Sequence, residues 1–476
     1  MPRTGFIGRR DELKSLNEMY NTPSFQMMII YGRRRIGKTT LITRFSEDKD
    51  PLFYTGIEDK EEENRAGLGR ASAQYFIPGT GDVSFPSYSD LLRFITMQIK
   101  LDTSGKRHLI ILDEYPYIAK ASPEFASVLQ REIDREWERL NVMLILCGSS
   151  ITFMEDEVLS RKSPLFGRRT GQIDLKPFDY FTSSLFTPAY SAEEKAILFG
   201  ITGGIPKYLS LFRPELSLNE NIIRLFFSSF GFFYEEPKNL LREEFRDIPL
   251  YQSILFAIAN GNSQFSEICS KTGLESPVVT PALKKLIAVR LVHKEIPVLG
   301  KNNKRLHRYV LSDGMFQFWF RFVQSGVSSI ERGFGKEYAE RAVFPHMHEY
   351  MGPIFEDICQ DYTFRISMTG QFGINLTEIG KWRGNDPIKK CQTDIDVVGL
   401  DSAVHTAVIG ECKFRNELFG KQELETLWDR ARLLNNYKVK NYLLFSLSGF
   451  TSAVMDHCKK NTDFIPVTIN DLYDFQ

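Results

Sequence analysis

A chain of 476 residues is too long for one typical domain, and the soft expectation is about three. Hydrophobic residues at 42% and charged residues at 25% fit an ordinary soluble globular protein rather than a disordered or fibrous chain. Lys+Arg and Asp+Glu balance at 60 each, so no global field draws the chain to nucleic acid or to a membrane surface. Any nucleic-acid contact then needs a local basic patch.

The cysteines at 147, 269, 359, 391, 412 and 458 form no C-x-x-C pair, which argues against a disulfide framework and a zinc site. The amino terminus lacks an apolar leader, and no apolar run reaches the ~18 residues a membrane span requires. The expectation is a cytoplasmic protein with no membrane partner.

Taken in order, Phe6-Ile7-Gly8-Arg9-Arg10-Asp11-Glu12-Leu13 opens a helical segment running through Leu16 and Met19. The apolar run Phe25–Tyr31 then leads into Gly32-Arg33-Arg34-Arg35-Ile36-Gly37-Lys38-Thr39, followed by helical spacing at Leu41, Ile42 and Phe45. This is G-x-x-x-x-G-K-[ST] between a strand and a helix, a phosphate-binding P-loop. Glycines at both ends let successive N–H groups turn inward onto an anion, and the helix adds its positive end. Lys38 is placed to reach the β- and γ-phosphates and the Thr39 hydroxyl to ligate Mg²⁺. Gly32, Gly37, Lys38, Thr39 and Thr40 make up the nucleotide-binding set. Backbone cradling leaves Arg33, Arg34 and Arg35 without a role, and the expectation is that they face out, toward solvent or a neighbouring domain.

Asp50–Gly56 reads as a second strand, and Asp59 to Phe76 as a helix. His108–Leu112 is a continuous apolar run ending in Asp113 and Glu114, as suits a buried parallel strand whose carboxyl end faces a ligand. Asp113 is the candidate for holding Mg²⁺ and Glu114 for polarising the attacking water. A third apolar run, Asn141–Cys147, ends in Gly148-Ser149-Ser150. Ser149 is the candidate for sensing the γ-phosphate or fixing the water, although serines after strands also serve as helix caps. In Ser163–Thr170, Arg168 and Arg169 are candidates for stabilising phosphoryl-transfer charge, including in a neighbouring subunit of a homo-oligomer. A solvated loop explains the pair equally well. Ala192 to Phe212 reads as helix, broken at Gly203-Gly204-Ile205-Pro206.

The ordered set FIGRRDEL, YGRRRIGKTTL, LIILDE, LILCGSS, SPLFGRRT and GGIPKYL resembles the archaeal-type ATPases of the broad AAA+/STAND group of P-loop NTPases. The resemblance implies an ATP site with Arg9 near the adenine and with Gly204 and Pro206 in a helical lid over the nucleotide. The absence of an N-K-x-D guanine-reading motif fits ATP over GTP.

Tyr251 to Leu291 carries three short helical patterns, followed by two strand-like stretches around the polar tip Gly300–Arg305, the pattern of a winged helix-turn-helix. Lys284, Lys285, Arg290, Lys301, Lys304, Arg305 and Arg308 are a candidate basic patch for nucleic acid; docking onto protein is the alternative. Tyr309 to Val323 is an aromatic stripe, better explained as packed core or an inter-domain seam than as a base-stacking surface. Lys336 to Tyr362 reads as a long helix ending near Gly352–Glu356. Strands follow around Leu376–Ile379, Ile395–Leu400 and Thr406–Phe414, then a helix around Leu424–Leu434 and a strand Tyr442–Ser446.

Asp394 and Asp396 sit on one of these strands. Glu411 and Lys413 sit on the next, where period-two alternation puts them on one face. Two carboxylates and a lysine converging suit metal-assisted phosphodiester hydrolysis. The order resembles the PD-(D/E)xK nuclease fold. That resemblance implies Asp396 and Glu411 as metal ligands, Lys413 as the catalytic lysine and Glu356 as an extra helix acid, with Asp394 as the alternative to Asp396.

The expected architecture is an α/β multidomain chain. Residues 1–180 form a P-loop ATPase domain, 181–245 a helical lid, 246–325 a winged helix, and 326–476 a restriction-endonuclease-like αβββαβ domain. The expected function is an ATP-hydrolysing switch using Mg²⁺, coupled to a nuclease-like domain acting on nucleic acid. The alternative is a STAND-type signalling or scaffold ATPase whose carboxyl-terminal domains only bind partners.

Overall fold

The computed structural model describes residues 5–80 and 83–474. The chain divides into two compact units. The first runs up to Pro177 and includes Ile205–Lys207; the second comprises Phe178–Gly204 and the chain from Tyr208 onward.

In the first unit the strands are β1 (Gln26–Tyr31), β2 (Leu52–Thr55), β3 (His108–Asp113), β4 (Val142–Gly148) and β5 (Gly171–Asp174). Every residue of β1, β3 and β4 is buried, the signature of parallel strands covered on both faces. The order is β2-β3-β4-β1-β5, with every pairing parallel. Tyr31 pairs with Gly148 and Asp174, and Thr55 with Asp113, so the carboxyl ends lie along one edge of the sheet. Helices Tyr88–Leu101 and Phe125–Arg135 cover one face through Leu91, Leu92, Ile95, Leu129 and Ile133. Each such side chain contributes about 1.5–3 kcal/mol on burial.

The second unit begins with helices, among them Ala192–Thr202, which carries a Ser191/Glu194 capping box and ends at Gly203 in the left-handed region. Gly204 must be glycine: φ is +69°, and a Cβ there would lie 1.9 Å from the Phe178 carbonyl oxygen. Helices Ile248–Ala259, Phe265–Thr272 and Ser276–Ala288 precede an antiparallel pair, β6 (Val292–Glu295) and β7 (Arg308–Leu311). The aromatic stripe beyond β7 is core, one of the two readings the sequence offered. Phe316, Phe318, Trp319 and Phe320 are almost fully buried, Phe318 meets Phe226 edge-on at 4.8 Å, and the Trp319 indole N–H donates to the Tyr234 carbonyl at 3.0 Å.

The expected long helix is two, Gly335–Ala342 and Met347–Met368, and the second does not end at Gly352–Glu356 but passes through Pro353. An interior proline forfeits one ladder bond at a cost of about 3 kcal/mol. Burial of Met351, Ile354, Phe355, Ile358 and Cys359 along the same helix offsets that cost.

The last sheet has the order β12-β11-β10-β9-β8, built from β8 (Glu378–Asp386), β9 (Cys391–Asp401), β10 (Thr406–Lys413), β11 (Lys438–Ser446) and β12 (Phe464–Thr468). β8, β9 and β10 are antiparallel neighbours, whereas β10, β11 and β12 run parallel through helices Lys421–Arg430 and Ser452–Lys460. The helix Ser452–Lys460, β12 and most of β8 were not anticipated. β8 has an almost uniformly half-buried pattern, so it shows no apolar alternation to read. The connection after β6 docks on this strand. The Val298 N–H donates to the Lys381 carbonyl at 2.8 Å, the Val298 side chain joins the sheet's core, and Arg383 pairs with Glu295. One backbone carbonyl of this edge strand is thereby paired.

Candidate nucleotide site and a second cluster of acids

The loop between β1 and the helix Lys38–Ser46 curls through positive φ at Gly32 (+152°), Arg35 (+68°) and Gly37 (+88°). A Cβ on Gly32 would lie 2.5 Å from the Leu175 carbonyl oxygen, so this corner admits only glycine. A left-handed conformation at Arg35 is strained for a residue with a side chain, the kind of strain functional loops retain. Lys38 is buried, and its Nζ donates to the carbonyls of Gly32 and Arg33, both at 3.0 Å. Burial lowers its proton affinity, while Cys147, Glu114 and Asp113 act the other way. Thr39 and Thr40 are exposed at the first turn of the helix.

Because β4 lies between β1 and β3, its carboxyl end separates the loop from the acids at the end of β3. Thr39 Oγ1 donates to Asp113 Oδ2 at 2.8 Å, and the Glu114 N–H donates to Asp113 Oδ1 at 3.0 Å. Glu114 is left-handed (φ 48°), starting the helix Tyr115–Ala121. Ser149, at the end of β4, donates to Glu114 Oε2 from its hydroxyl at 2.8 Å and from its N–H at 3.3 Å. It therefore holds the candidate base rather than capping a helix. Two hard oxygen donors beside a phosphate cradle fit Mg²⁺. Among the described residues no group of three or more His, Cys, Asp or Glu gathers around a metal position, so Thr39 and Asp113 would share such an ion with nucleotide and water.

Other expected residues surround the loop. Arg9 donates to the Ile36 carbonyl at 3.2 Å and the Lys176 carbonyl at 2.7 Å, fastening the loop to the end of β5. The Lys207 N–H reaches the Arg35 carbonyl at 3.4 Å, and Pro206 Cγ lies 3.9 Å from where a Cβ on Gly37 would stand.

Arg34 is half-buried, and its Nη2 donates to the Tyr117 hydroxyl at 3.2 Å. Arg168 and Arg169 are not part of this chain's nucleotide site. The Thr170 N–H bonds to the Met27 carbonyl at the start of β1, which places both arginines at the opposite edge of the sheet. Arg168 there forms a two-pronged pair with Asp134, at 2.9 and 2.8 Å. Parallel pairing fixes this, because residues preceding one parallel strand lie beside the starts of its neighbours.

In the second unit Asp396 and Glu411 are both buried at the centre of the last sheet. Glu411 Oε1 accepts from Lys413 Nζ at 2.6 Å, on the shared face its spacing implied, and Oε2 accepts from Arg430 Nη1 at 2.9 Å. Asp396 Oδ2 accepts the Cys412 N–H at 2.8 Å. Burial and the neighbouring charges of Glu411 and Glu356 push the Asp396 carboxyl up to about 8. Glu356 is tied to Lys381 at 2.5 Å, and Asp394 is exposed, 4.0 Å from Arg430. Glu356 and Glu411 carry internal counter-ions and both lie near enough to Asp396 to act on its carboxyl, while among the described residues no group of three or more His, Cys, Asp or Glu gathers around a metal position. Arg430 and Lys381 were not anticipated, since a lone cation on a helix or an irregular strand gives no pattern.

Residues 6–212 match the model of an ATPase domain predominantly from Archaea, and residues 319–427 that of archaeal and bacterial proteins of unknown function. An uncharacterized protein of Methanocaldococcus jannaschii is 29% identical over 415 residues, covering 86% of this chain and 88% of that one. An uncharacterized ATP-binding protein of the same organism is 46% identical over 44 residues, covering 9% of this chain and 75% of the other. Among solved structures, the Walker-type ATPase of Pyrococcus abyssi superposes with a TM-score of 0.53 at 20% identity, covering 67% of this chain and 97% of that one. At that identity the likeness concerns the fold. The amino-terminal part is a P-loop ATPase domain, and a separate mixed-sheet domain ends the chain.

Proposed function

We propose that the protein is an ATP-binding, ATP-hydrolysing switch of the AAA+/STAND kind, working in the cytoplasm and acting through its second unit on nucleic acid. One observation carries the hydrolytic reading. Ser149 holds Glu114 across the carboxyl edge of the sheet while Asp113 holds Thr39, so a candidate base and a candidate cation site flank one phosphate cradle. The loop N–H groups and Lys38 bind phosphate oxygens. Glu114, oriented by Ser149, accepts a proton from the attacking water. Mg²⁺, when bound, neutralises phosphate charge. Arg169, remote from the site of its own chain, serves a neighbouring copy in a homo-oligomer.

The proposed domains are residues 1–180, 181–245, 246–325 and 326–476, a finer division than the two compact units. The second unit is read as lid, winged helix and nuclease-like domain. Three helices followed by β6 and β7 support the winged helix, and the βββαβαβ order after the helix Met347–Met368 supports the nuclease-like fold. Lys301, Lys304 and Arg305 are exposed at the wing tip and available to phosphate. In contrast, Lys285 lies over the rings of Phe245 and Tyr251, and Arg308 donates to the Arg305 and His307 carbonyls.

A second reading, a binding-only effector domain without cleavage, is favoured by Glu411 having both oxygens held by cations. Two measurements test the proposal. ATP binding and turnover must collapse in Lys38→Ala, and normal turnover by that variant would refute the ATPase reading. Mn²⁺-dependent cleavage of single- or double-stranded DNA, abolished by Glu411→Gln, supports the nuclease. No cleavage with any metal or nucleotide leaves the binding-only domain.

A further inference from the structure

The second unit contains a cavity of about 590 Å³, a size within the range of small-molecule sites. Its walls come from the carboxyl end of the helix Ile248–Ala259, from β7, from the helix Met347–Met368, and from Lys381 and Arg383 of β8. Asp396 and Glu411, the buried acids of the neighbouring cluster, do not line it. The lining carries both signs of charge, and each of its cations is committed within the protein. Lys381 Nζ lies 2.5 Å from Glu356, Arg383 pairs with Glu295, and Arg321 Nη2 lies 3.1 Å from Glu349. Arg308 donates to the Arg305 and His307 carbonyls at 2.9 and 3.1 Å.

The acceptors are less well served. Among the described residues Asp357 has no hydrogen-bond or ion-pair partner. Lys381 is near enough to act on it electrostatically but is bonded to Glu356. Asp357 is open to the cavity, yet protein crowds it on nearly every side, so water screens its charge poorly. The helix Ile248–Ala259 adds the negative end of its dipole where Ala259, Asn260 and Gly261 line the wall. With Asp394 included, five acids face four cations around the cavity.

We propose that this cavity binds a small organic cation carrying N–H donors, an amine or a guanidine, with Asp357 as its counter-ion. An anionic ligand would have to draw a cation away from its present partner. An ammonium or guanidinium group instead meets a carboxylate and a helix end, and a charge-assisted hydrogen bond is among the stronger single contacts. The walls belong both to the helices with β7 and to the last sheet, so an occupant bridges the two and stabilises the folded unit by mass action. The inference stands apart from ATP hydrolysis at the P-loop.

The test is calorimetric titration of the full-length protein with spermidine and with agmatine at physiological salt, which screens loose surface attraction. Saturable binding is expected, with a rise in melting temperature. Asp357→Asn is expected to weaken it about 10- to 100-fold, the range of a charged hydrogen bond, and Asp357→Glu less than about fivefold. Asp357→Ser supplies a second neutral variant, and melts without ligand confirm that each is folded. Asp456→Asn, which removes an exposed carboxylate elsewhere in the second unit, should leave binding unchanged. Binding that cannot be saturated, that survives Asp357→Asn, or that falls equally in Asp456→Asn overturns the proposal. So does displacement of spermidine by Mg²⁺ as readily as by agmatine, which would mark a site for inorganic cations. Absence of binding by both amines at millimolar concentration overturns it as well.

Discussion

Ser149→Ala isolates the least conspicuous contact of the nucleotide site. The substitution removes the hydroxyl that donates to Glu114 Oε2 at 2.8 Å but keeps the backbone N–H at 3.3 Å, the longer of the two. A hydrogen bond to a charged acceptor contributes about 1.5–3 kcal/mol. The surviving bond retains part of the orientation, so about 1.5–2.5 kcal/mol is expected to appear in the barrier. At 1.4 kcal/mol per factor of ten, kcat for ATP should fall about 10- to 60-fold. On the reading that Ser149 acts through Glu114, KM should stay within about twofold, the pattern of an interaction that matters mainly in the transition state. Steady-state phosphate release measures both constants, with Ser149→Thr as the variant that restores a hydroxyl. A rise in KM at unchanged kcat would show that Ser149 binds nucleotide directly. An unchanged kcat would show that Glu114 does not depend on it.

Thr39→Ala removes the 2.8 Å partner of Asp113. The Mg²⁺ concentration at half-maximal turnover should rise about tenfold or more, consistent with loss of one oxygen ligand or its hydrogen bond, while nucleotide binding in excess chelator stays near wild type; a magnesium titration decides. Gly204→Ala forces a Cβ to within 1.9 Å of the Phe178 carbonyl at a φ of +69°, so the chain must shift or unfold. A loss above about 3 kcal/mol is expected in urea, more than the ordinary single substitution costs. The Asp396 carboxyl, pushed up to about 8 from an ordinary value of 3.8, binds its proton more tightly folded than unfolded. Its contribution to stability is therefore fully present below pH ~4 and is lost as pH rises toward 8. Urea midpoints at pH 5, 7 and 9 should show this decline reduced in Asp396→Asn, and an equal decline in both proteins would refute it.

Much of the nucleotide site was legible because its chemistry is local in sequence. A loop that cradles phosphate needs glycine at its corners and Lys-Thr at the helix start, and apolar runs ending in Asp-Glu or Gly-Ser declare buried parallel strands. The face shared by Glu411 and Lys413 was legible for the same reason, since they stand two apart on one strand. Contacts between distant segments were not. Tyr117 on Arg34, Arg430 on Glu411 and Lys381 on Glu356 join residues 83, 19 and 25 positions apart, the last counted from 381 − 356. Polar side chains at such separations carry no periodic signal. The Pro353 helix shows the opposite failure, a strong local breaker overridden by burial along the rest of the segment.

The sequence alone determined the P-loop, its acids and the presence of further α/β structure, because residue type at fixed short spacing dictates backbone shape and phosphate chemistry. Only the tertiary structure decided which strand lies between the loop and its base, and which edge of the sheet an arginine occupies. β4 inserted between β1 and β3 makes Ser149 the partner of Glu114. The pairing of Thr170 with Met27 puts Arg169 at the far edge. Strand order and register are set by the global packing of apolar faces, a property of the whole sheet that no single stretch of sequence encodes.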